Sequence, residues 1–181
     1  MLSPFLQESI PSAEAEAASS IEAEIEREKA ELKKSAVLKN IGMGDLTCLV
    51  FMENKSSCNS VQVVSKLLEK ERKGRYIQRI IPIEASSYAN VEAFIGICKE
   101  LFARTVEGMA ATTFDIQYQS RFNSSITRQS VIDIVGSLMP VKHRVDLKEA
   151  KISIVVQVFK NIVGISIVEG YKSKKKLNMS N

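Results

Sequence analysis

The stretch TFDIQYQSRFNSSITRQSVIDIVG, residues 113–136, decides the fold of this chain. Polar and apolar residues alternate over Thr113–Gln119, which predicts a strand with one buried face. After a polar turn, apolar residues recur every three or four positions. This spacing predicts an amphipathic helix from about Ser125 to Leu138, which Pro140 ends. The stretch therefore predicts a strand that leads through a short turn into a helix.

The polar turn carries the strongest candidates for a binding site. Arg121, Asn123 and Arg128 flank the point at which the helix is predicted to begin. The first turn of a helix has backbone N–H groups without intrahelical partners, and guanidinium groups bind phosphate oxygens in pairs of hydrogen bonds. The turn is therefore predicted to bind a phosphate without carrying out chemistry on it. Its hydroxyl residues are expected to be N-cap residues rather than ligand contacts: Ser124, Ser125 and Thr127.

Two apolar strands and a basic segment follow this helix. The strands are predicted at Ile152–Phe159 and Ile162–Val168, and Asn161 between them is expected to adopt the positive φ of a tight turn. A basic tail is predicted over residues 172–181. It is expected either to follow the phosphates of a nucleic acid, to act as a nuclear-import signal, or to be simply solvated.

The upstream residues predict a βαβ unit and one further helix. Leu46–Met52 predicts a buried strand, Asn59–Lys73 a helix, and Tyr76–Glu84 a second strand. A longer helix is predicted at Asn90–Met109. Ahead of these elements, residues 1–40 form an acidic extension that is predicted to be partly helical. It is expected to be solvated, docked on a partner, or packed on the body of the protein through its apolar edge.

Composition and charge limit the classes of function. Residues 1–35 carry eight acidic and four basic residues, whereas residues 36–181 carry thirteen acidic and twenty-one basic ones, a net charge of +8. This charge favours a polyanionic partner. No apolar run approaches the roughly 20 residues of a membrane span, and no signal peptide is expected. The three cysteines form an odd set without a CxxC pair, which predicts reduced thiols and an intracellular location.

Four segments carry a resemblance to a known family. They are QRIIPIEASSYA at 78–89, the stretch quoted above at 113–136, VDLKEAKISIVVQVFK at 145–160 and GYKSKKKLN at 170–178. In this order they resemble the THUMP domain of tRNA- and rRNA-modifying proteins. The similarity is greatest to the stand-alone THUMP proteins of eukaryotes that assist tRNA cytidine acetylation.

The resemblance implies an α+β fold with a ferredoxin-like subdomain at 41–88 and a mixed α/β THUMP domain at 89–171. Together these units would grip the acceptor stem and the single-stranded 3′ end of tRNA. The resemblance further implies a non-catalytic adaptor in the nucleus or nucleolus, with the cytoplasm also open. Such an adaptor presents serine and leucine tRNAs to a separate RNA cytidine acetyltransferase, which forms N4-acetylcytidine in the D-arm. Two alternatives stay open: the RNA-binding portion of a longer modification enzyme, and a general RNA-binding scaffold.

The resemblance also makes the turn residues Arg121, Asn123 and Arg128 the expected RNA contacts. Further candidate contacts, basic except for one tyrosine, are Arg75, Arg79, Lys142, Arg144, Tyr171, Lys172, Lys174, Lys175 and Lys176. Tyr171 is expected either to stack on an unpaired base or to cap the core. His143, the only histidine, is expected at the surface because nothing in the sequence suggests a catalytic or metal partner for it.

No catalytic residue, metal site or cofactor is expected. The chain contains no GxxxxGK[ST] loop, no GxGxxG after a strand and no HxE…CxxC zinc-deaminase signature. It also shows no aromatic-rich stretch of the kind found in a base-reading sheet. Recognition of RNA is therefore expected to depend on electrostatics and on the shape of the RNA.

Overall fold

The computed structural model divides the chain into two compact units, residues 1–57 and 58–181. The residues that it describes are 24–29, 38–42, 48–69 and 76–179.

The described residues of the first unit form one short helical segment, α1 (residues 24–29), and one antiparallel strand pair. In this pair β1 (Leu38–Ile41) runs against β2 (Phe51–Asn54). β2 overlaps the end of the strand predicted at Leu46–Met52, and residues 43–47 lie outside the described residues.

The second unit is built on a five-stranded sheet with the strand order β3-β7-β6-β4-β5. β4 runs parallel to β5 and β6, whereas β7 runs antiparallel to β3 and β6. In chain order the elements of this unit are α2 (Ser60–Glu69), β3 (Ala85–Tyr88), α3 (Val91–Thr105), β4 (Thr113–Arg121), α4 (Arg128–Leu138), β5 (Arg144–Val145), β6 (Ile152–Phe159), β7 (Ile162–Glu169) and a 3-10 turn (Lys175–Leu177).

The main core lies between one face of this sheet and the helices α3 and α4. Phe114, Ile154 and Ile165 project into it from three neighbouring strands, and Phe94 of α3 and Val131 of α4 meet them. All five are buried. Alternate residues of a strand share one face, and the helix residues recur at helical spacing, so the strand and helix patterns of the sequence place the same residues inside.

The opposite face, here called the polar face, carries Asp115, Gln117, Gln119 and Arg121 of β4 and their cross-strand partners. α2 and the C-terminal segment cover the end of this face near the start of β4. They do so through a second apolar cluster that includes Val64, Val155, Val168, Tyr171 and Leu177. The end of the polar face that carries Gln119 and Arg121 lies outside this cluster.

The βαβ unit predicted over residues 46–84 is not formed within the described residues. The pair β1–β2 that precedes α2 is antiparallel. In the segment predicted as a strand at Tyr76–Glu84, only Arg79 makes a bridge, to Asn178. Pro82 in this segment has no N–H to donate to a neighbouring strand, which explains why the apolar pattern does not become a strand there.

The tight turn and the C-terminal segment also differ from the predictions. Between β6 and β7, Lys160 rather than Asn161 adopts a left-handed conformation, with φ of 49°. The segment predicted as a tail is folded as far as Met179. Leu177 is 1% exposed, and the amide of Met179 donates to the carbonyl of Gln78. One buried apolar side chain thus anchors a segment whose lysines suggested a solvated tail.

Candidate nucleic-acid interface

The predicted contact residues fall into two groups at opposite ends of β4. Arg121 ends the strand, whereas Thr113 begins it beside Arg144 of β5. Nine residues at about 3.3 Å per residue separate the two ends by roughly 26 Å. No single phosphate can therefore contact both groups. The junction end carries Arg121, Asn123 and Arg128; the tail end carries Lys142, Arg144 and the C-terminal lysines.

The loop at the junction end is held by its own hydrogen bonds. The side-chain oxygen of Asn123 accepts from the amides of Ser125 and Ile126 at 2.9 and 3.2 Å, and its NH₂ group donates to the carbonyl of Lys160 at 2.6 Å. Ile126 is buried, and its carbonyl accepts a hydrogen bond of 2.5 Å from the hydroxyl of Tyr118. The side chain of Asn123 therefore shapes the loop, and its contact with RNA stays a prediction.

Thr127, rather than Ser124 or Ser125, is the N-cap residue of α4. Its hydroxyl accepts from the amide of Ser130 at 3.1 Å, and its amide donates to the hydroxyl of Ser130 at 2.9 Å. This reciprocal capping box uses a serine where Glu or Gln is usual. The helix consequently begins at Arg128, later than predicted, and the exposed side chain of Arg128 lies in its first turn.

Three exposed cations remain at the junction end: Arg121, Arg128 and Lys160. The amide of Lys160 donates to the carbonyl of Arg121 at 3.0 Å, which brings these two residues together across the ends of β4 and β6. Among the described residues, none of the three charged groups has an ion pair or a hydrogen bond; the ammonium of Lys160 lies 5.8 Å from the ring centroid of Phe159. Uncompensated positive charges grouped in this way attract phosphate.

Two exposed aromatic residues that were not among the predicted contacts lie at this same end. Tyr88, the last residue of β3, is 72% exposed, and Phe122, which follows β4, is 78% exposed. The ring of Phe122 packs edge-on against Phe159, with the ring centroids 6.0 Å apart. Only the register of the sheet places Tyr88 in the same cross-strand row as Phe159, so no local sequence pattern could have identified the group.

At the tail end, Lys172 is engaged within the fold. Its ammonium donates to the carbonyls of Leu147 and Lys148 at 2.5 and 2.7 Å and lies 3.7 Å from the carboxylate of Asp115. Asp115 is 2% exposed and also accepts a hydrogen bond from the hydroxyl of Ser153. A buried carboxylate requires such partners. Lys172 therefore has a structural role, and these contacts account for its charge without RNA. Its predicted contact with RNA stays a prediction.

Other predicted contacts near the tail end also have partners inside the protein. Lys142 donates to the carbonyl of Glu107 at 2.6 Å, and Lys174 donates to the hydroxyl of Ser65 at 3.0 Å. Arg79 donates at 2.9 Å to an amide side chain of the C-terminal segment. These side chains tie loops and α2 to the sheet.

The remaining candidates have different surroundings. Tyr171 lies in the second apolar cluster, as the core-capping alternative required, and burial raises the pKa of its hydroxyl. Arg144, Lys175 and Lys176 are exposed. Arg75 lies outside the described residues.

An open cleft of about 890 Å³ lies at the tail end. The charges on its walls are mixed: Glu149 and Glu169 stand among four lysines, Lys148, Lys151, Lys172 and Lys174, and the last two already have partners inside the protein. In the adjoining loop, the carboxylate of Asp146 accepts hydrogen bonds from the amides of Glu149 and Lys148, and these bonds lower the pKa of Asp146. The cleft is therefore less electropositive than its lysines suggest, and the junction end is the better candidate for binding a polyanion.

The prediction that His143 lies at the surface is wrong. The residue is 6% exposed, and its Nδ1 accepts a hydrogen bond of 3.3 Å from the amide of Thr112. An accepting Nδ1 places the ring proton on Nε2, which has no hydrogen-bond partner among the described residues. His143 thus packs the loop after α4 against the start of β4.

Neither metal nor membrane sites emerge from the described residues. They contain no group of His, Cys, Asp and Glu side chains that could hold a metal ion, and none of their helices is long and apolar enough to cross a membrane. Cys98 lies in the main core, where burial raises the pKa of its thiol to about 12. Such a thiol is not a nucleophile at neutral pH.

Comparison with known proteins assigns a family to the sheet and its two covering helices. The THUMP domain family matches residues 88–168. An uncharacterized protein of Schizosaccharomyces pombe is 29% identical over 145 residues, which are 76% of this chain and 50% of the relative. The THUMP domain-containing protein 1 homolog of Drosophila melanogaster is 33% identical over 109 residues, 59% of this chain and 33% of the relative. The chain thus spans between a third and a half of these relatives.

One solved structure supports the fold. A crystal structure of a protein from Pyrococcus horikoshii superposes with a TM-score of 0.54 at 15% identity, over 80% of this chain and 48% of that one. At this identity the likeness concerns the fold alone. The fold is mixed α+β, with a THUMP domain and an N-terminal sheet region.

Proposed function

Because the chain is a THUMP domain protein related to THUMP domain-containing protein 1, we propose that it binds tRNA and presents it to a separate RNA cytidine acetyltransferase. The chain contributes no catalytic group, and the enzyme forms N4-acetylcytidine in the D-arm of serine and leucine tRNAs. The THUMP domain, together with the N-terminal region, grips the acceptor stem and the 3′ single strand. The protein acts inside the cell, in the nucleus or nucleolus, with the cytoplasm as the alternative.

One observation carries the RNA-binding part of this proposal: the three uncompensated cations at the junction end. The loop between Arg121 and Arg128 is fixed by hydrogen bonds that do not involve their charged groups. The cations are therefore presented on a rigid support while their donors stay available. A phosphate that accepts a charge-assisted hydrogen bond from such a group gains about 1.5–3 kcal/mol.

The binding test compares a double variant at the junction end with a matched control elsewhere. Arg121→Gln/Arg128→Gln removes two positive charges from the proposed site. Lys99→Gln/Arg104→Gln removes two charges, also exposed, from α3. We expect the first variant to bind tRNA about ten- to a hundredfold more weakly. We also expect the slope of log affinity against log salt to fall by about 2, because each lost phosphate contact removes about 0.9.

The control variant should keep the salt slope of the parent. Equal losses in both variants would mean that affinity follows net charge alone, and the proposed site would be wrong. Thermal melting of both variants checks that the fold is intact. Since neither guanidinium group makes a hydrogen bond or an ion pair with the described residues, little change in stability is expected.

The adaptor part of the proposal requires a reconstituted reaction. Serine tRNA is incubated with an RNA cytidine acetyltransferase and acetyl-coenzyme A, with or without this chain. We expect N4-acetylcytidine to form efficiently only when the chain is present, and the double variant at the junction end to be defective. Acetylation that does not depend on the chain would refute the adaptor role, and modification of the tRNA by the chain alone would refute its non-catalytic character.

A further inference from the structure

The register of the sheet places four side chains in one row across the polar face at the junction end. Tyr88 of β3 pairs with Ile162 of β7, Ile162 pairs with Phe159 of β6, and Phe159 pairs with Arg121 of β4. Directly paired residues share a face, so all four project to the same side of the sheet. Three strand spacings of about 4.8 Å make the row roughly 14 Å long.

Two rings at the ends of this row, those of Tyr88 and of the neighbouring residue Phe122, are exposed to solvent. Phe122 continues the chain from Arg121 in a left-handed conformation, with φ of 57°, which turns its ring out of the core. Because the edge-on packing engages only part of the Phe122 ring, most of that ring remains in solvent, and Phe159 beneath it is buried. At the other end of the row the ring of Tyr88 is mostly in solvent as well. Two aromatic surfaces therefore stand on a rigid base.

The next row on the same face is small and polar. It contains Ser86, Gly164, Gln157 and Gln119, in strand order from β3 to β4. The side-chain amides of Gln119 and Gln157 make no hydrogen bond with the described residues, and both are half-buried. Amides in this position can donate to and accept from a planar polar ligand. Ile83 lies against Gly164 and marks where the covering segment begins.

The composition of this surface argues for a nucleobase rather than an apolar protein surface. Its polar members are two cations, two amides and one serine, and Ile162 is the aliphatic residue of the first row. Base stacking on aromatic side chains is sequence-tolerant, and a four-stranded sheet that binds RNA in this way stacks two or three bases. The cations Arg121 and Lys160 lie beside the rings, where the phosphates that join stacked bases would pass.

We propose that Tyr88 and Phe122 are stacking platforms for unpaired nucleobases of single-stranded RNA, with Arg121 and Lys160 binding the phosphates and Gln119 and Gln157 the base edges. This inference rests on the proposed function and specifies which part of the RNA the junction end takes: its single strand. It replaces the expectation of purely shape-based recognition, because the sheet does contain an aromatic surface.

The test uses two RNA minihelices of the same duplex sequence, one ending in a four-nucleotide single strand with 2-aminopurine as its last base and one blunt. The variant is Tyr88→Leu/Phe122→Leu, which keeps apolar side chains but removes the flat rings. We expect this variant to bind the overhang minihelix roughly ten- to a hundredfold more weakly, and the blunt one with unchanged affinity. Quenching of 2-aminopurine fluorescence on binding should be lost.

Two controls protect the interpretation. Tyr88→Phe keeps the ring and should bind the overhang within about twofold of the parent. The single variant Tyr88→Leu keeps the packing of Phe122 against Phe159, so it replaces the double variant if the latter has a lowered melting temperature. It should still bind the overhang minihelix more weakly than the parent does. Unchanged overhang affinity and quenching in a folded leucine variant would overturn the inference. So would loss of acetyltransferase binding at unchanged RNA affinity, since the row would then meet the enzyme.

The outcomes also separate this inference from the proposed function. If Arg121→Gln/Arg128→Gln weakens binding of both minihelices while the leucine variants bind like the parent, RNA binding at the junction end holds and stacking fails. If the parent binds neither minihelix nor tRNA, both proposals fail.

Discussion

Replacing Lys172 with methionine should destabilise the fold rather than weaken the binding of RNA. Methionine keeps much of the apolar stem and removes the ammonium. The ammonium donates to two carbonyl groups and lies near the buried carboxylate of Asp115. These contacts hold the C-terminal segment against the loop that precedes β6. Their loss is therefore expected to loosen this segment first.

The size of the effect follows from these contacts. Hydrogen bonds to a charged group contribute about 1.5–3 kcal/mol, and the loss of one partner from a buried ion pair costs up to about 5 kcal/mol. Two features reduce the loss: the side chain of Lys172 is 36% exposed, and Asp115 keeps the hydrogen bond from Ser153. We therefore expect the free energy of unfolding to fall by about 1.5–3 kcal/mol. For a chain of this length that corresponds to a drop in melting temperature of roughly 3–12 °C.

The assay is urea unfolding and thermal melting of Lys172→Met beside Lys176→Met. Lys176 is an exposed lysine of the same segment, and its ammonium makes no hydrogen bond or ion pair with the described residues. Its loss should shift the unfolding free energy by less than about 0.5 kcal/mol. The tRNA affinity of folded Lys172→Met should stay within about threefold of the parent. Its charge lies at the tail end, several Debye lengths of about 8 Å from the junction end at physiological salt. Parental stability combined with a tenfold loss of RNA affinity would refute this reasoning.

Two further predictions concern the core and the capping of α4. Burial raises the pKa of the Cys98 thiol to about 12, so this thiol should resist iodoacetamide at pH 8 in the folded protein and react once the protein unfolds. Mass spectrometry follows the modification, and rapid modification of Cys98 in the native protein would contradict its burial. Thr127→Ala removes the hydroxyl that caps α4 and should lower the free energy of unfolding by about 1 kcal/mol in urea titrations, whereas Ser124→Ala should leave it nearly unchanged.

A local sequence pattern predicts a helix or strand well when the residues next to each position along the chain determine whether that position is buried. The alternation over Thr113–Gln119 became β4, and the apolar runs from Ile152 and Ile162 became the antiparallel pair β6–β7. The helix after the turn also formed, although Thr127 and Ser130 delayed its start. These segments carry strong periodicity and lie in the part of the chain that matches the THUMP domain.

Residues 76–84 show where local pattern fails. Their apolar run resembles a strand. In the structure, however, the amide of Ile167 in β7 donates to the side-chain carboxylate of Glu84 at 2.8 Å, whereas in a regular sheet it would donate to a backbone carbonyl of the neighbouring strand. Its other oxygen accepts from Asn59, which ties the start of α2 to the same place. A side chain thus replaces a backbone group in the sheet, and no periodicity in the sequence records such an exchange.

The candidate site also has a part that depends on residues close in sequence and a part that depends on strand pairing. The turn that holds Arg121 and Arg128 is local, so its position at the end of a strand could be predicted. The aromatic row is not local, because Tyr88 reaches it only through pairing with Ile162. Its discovery requires the register of the sheet, which a single sequence does not contain.

Basic residues posed a different problem, because a positive charge in the sequence does not say which acceptor it will meet. Lys172 and Lys142 find backbone carbonyls within their own fold, so their charges are already partly compensated. Lys160 and the two arginines at the junction end project from the ends of strands and of a helix, where nearby backbone carbonyls already accept other hydrogen bonds. The carbonyl of Lys160, for example, accepts a hydrogen bond from the side chain of Asn123. A lysine near unoccupied carbonyls becomes structural, whereas one beyond them stays available to a ligand. The side chain of Asn123 satisfies the backbone groups of the turn through its own hydrogen bonds, so the neighbouring cations stay available for phosphate.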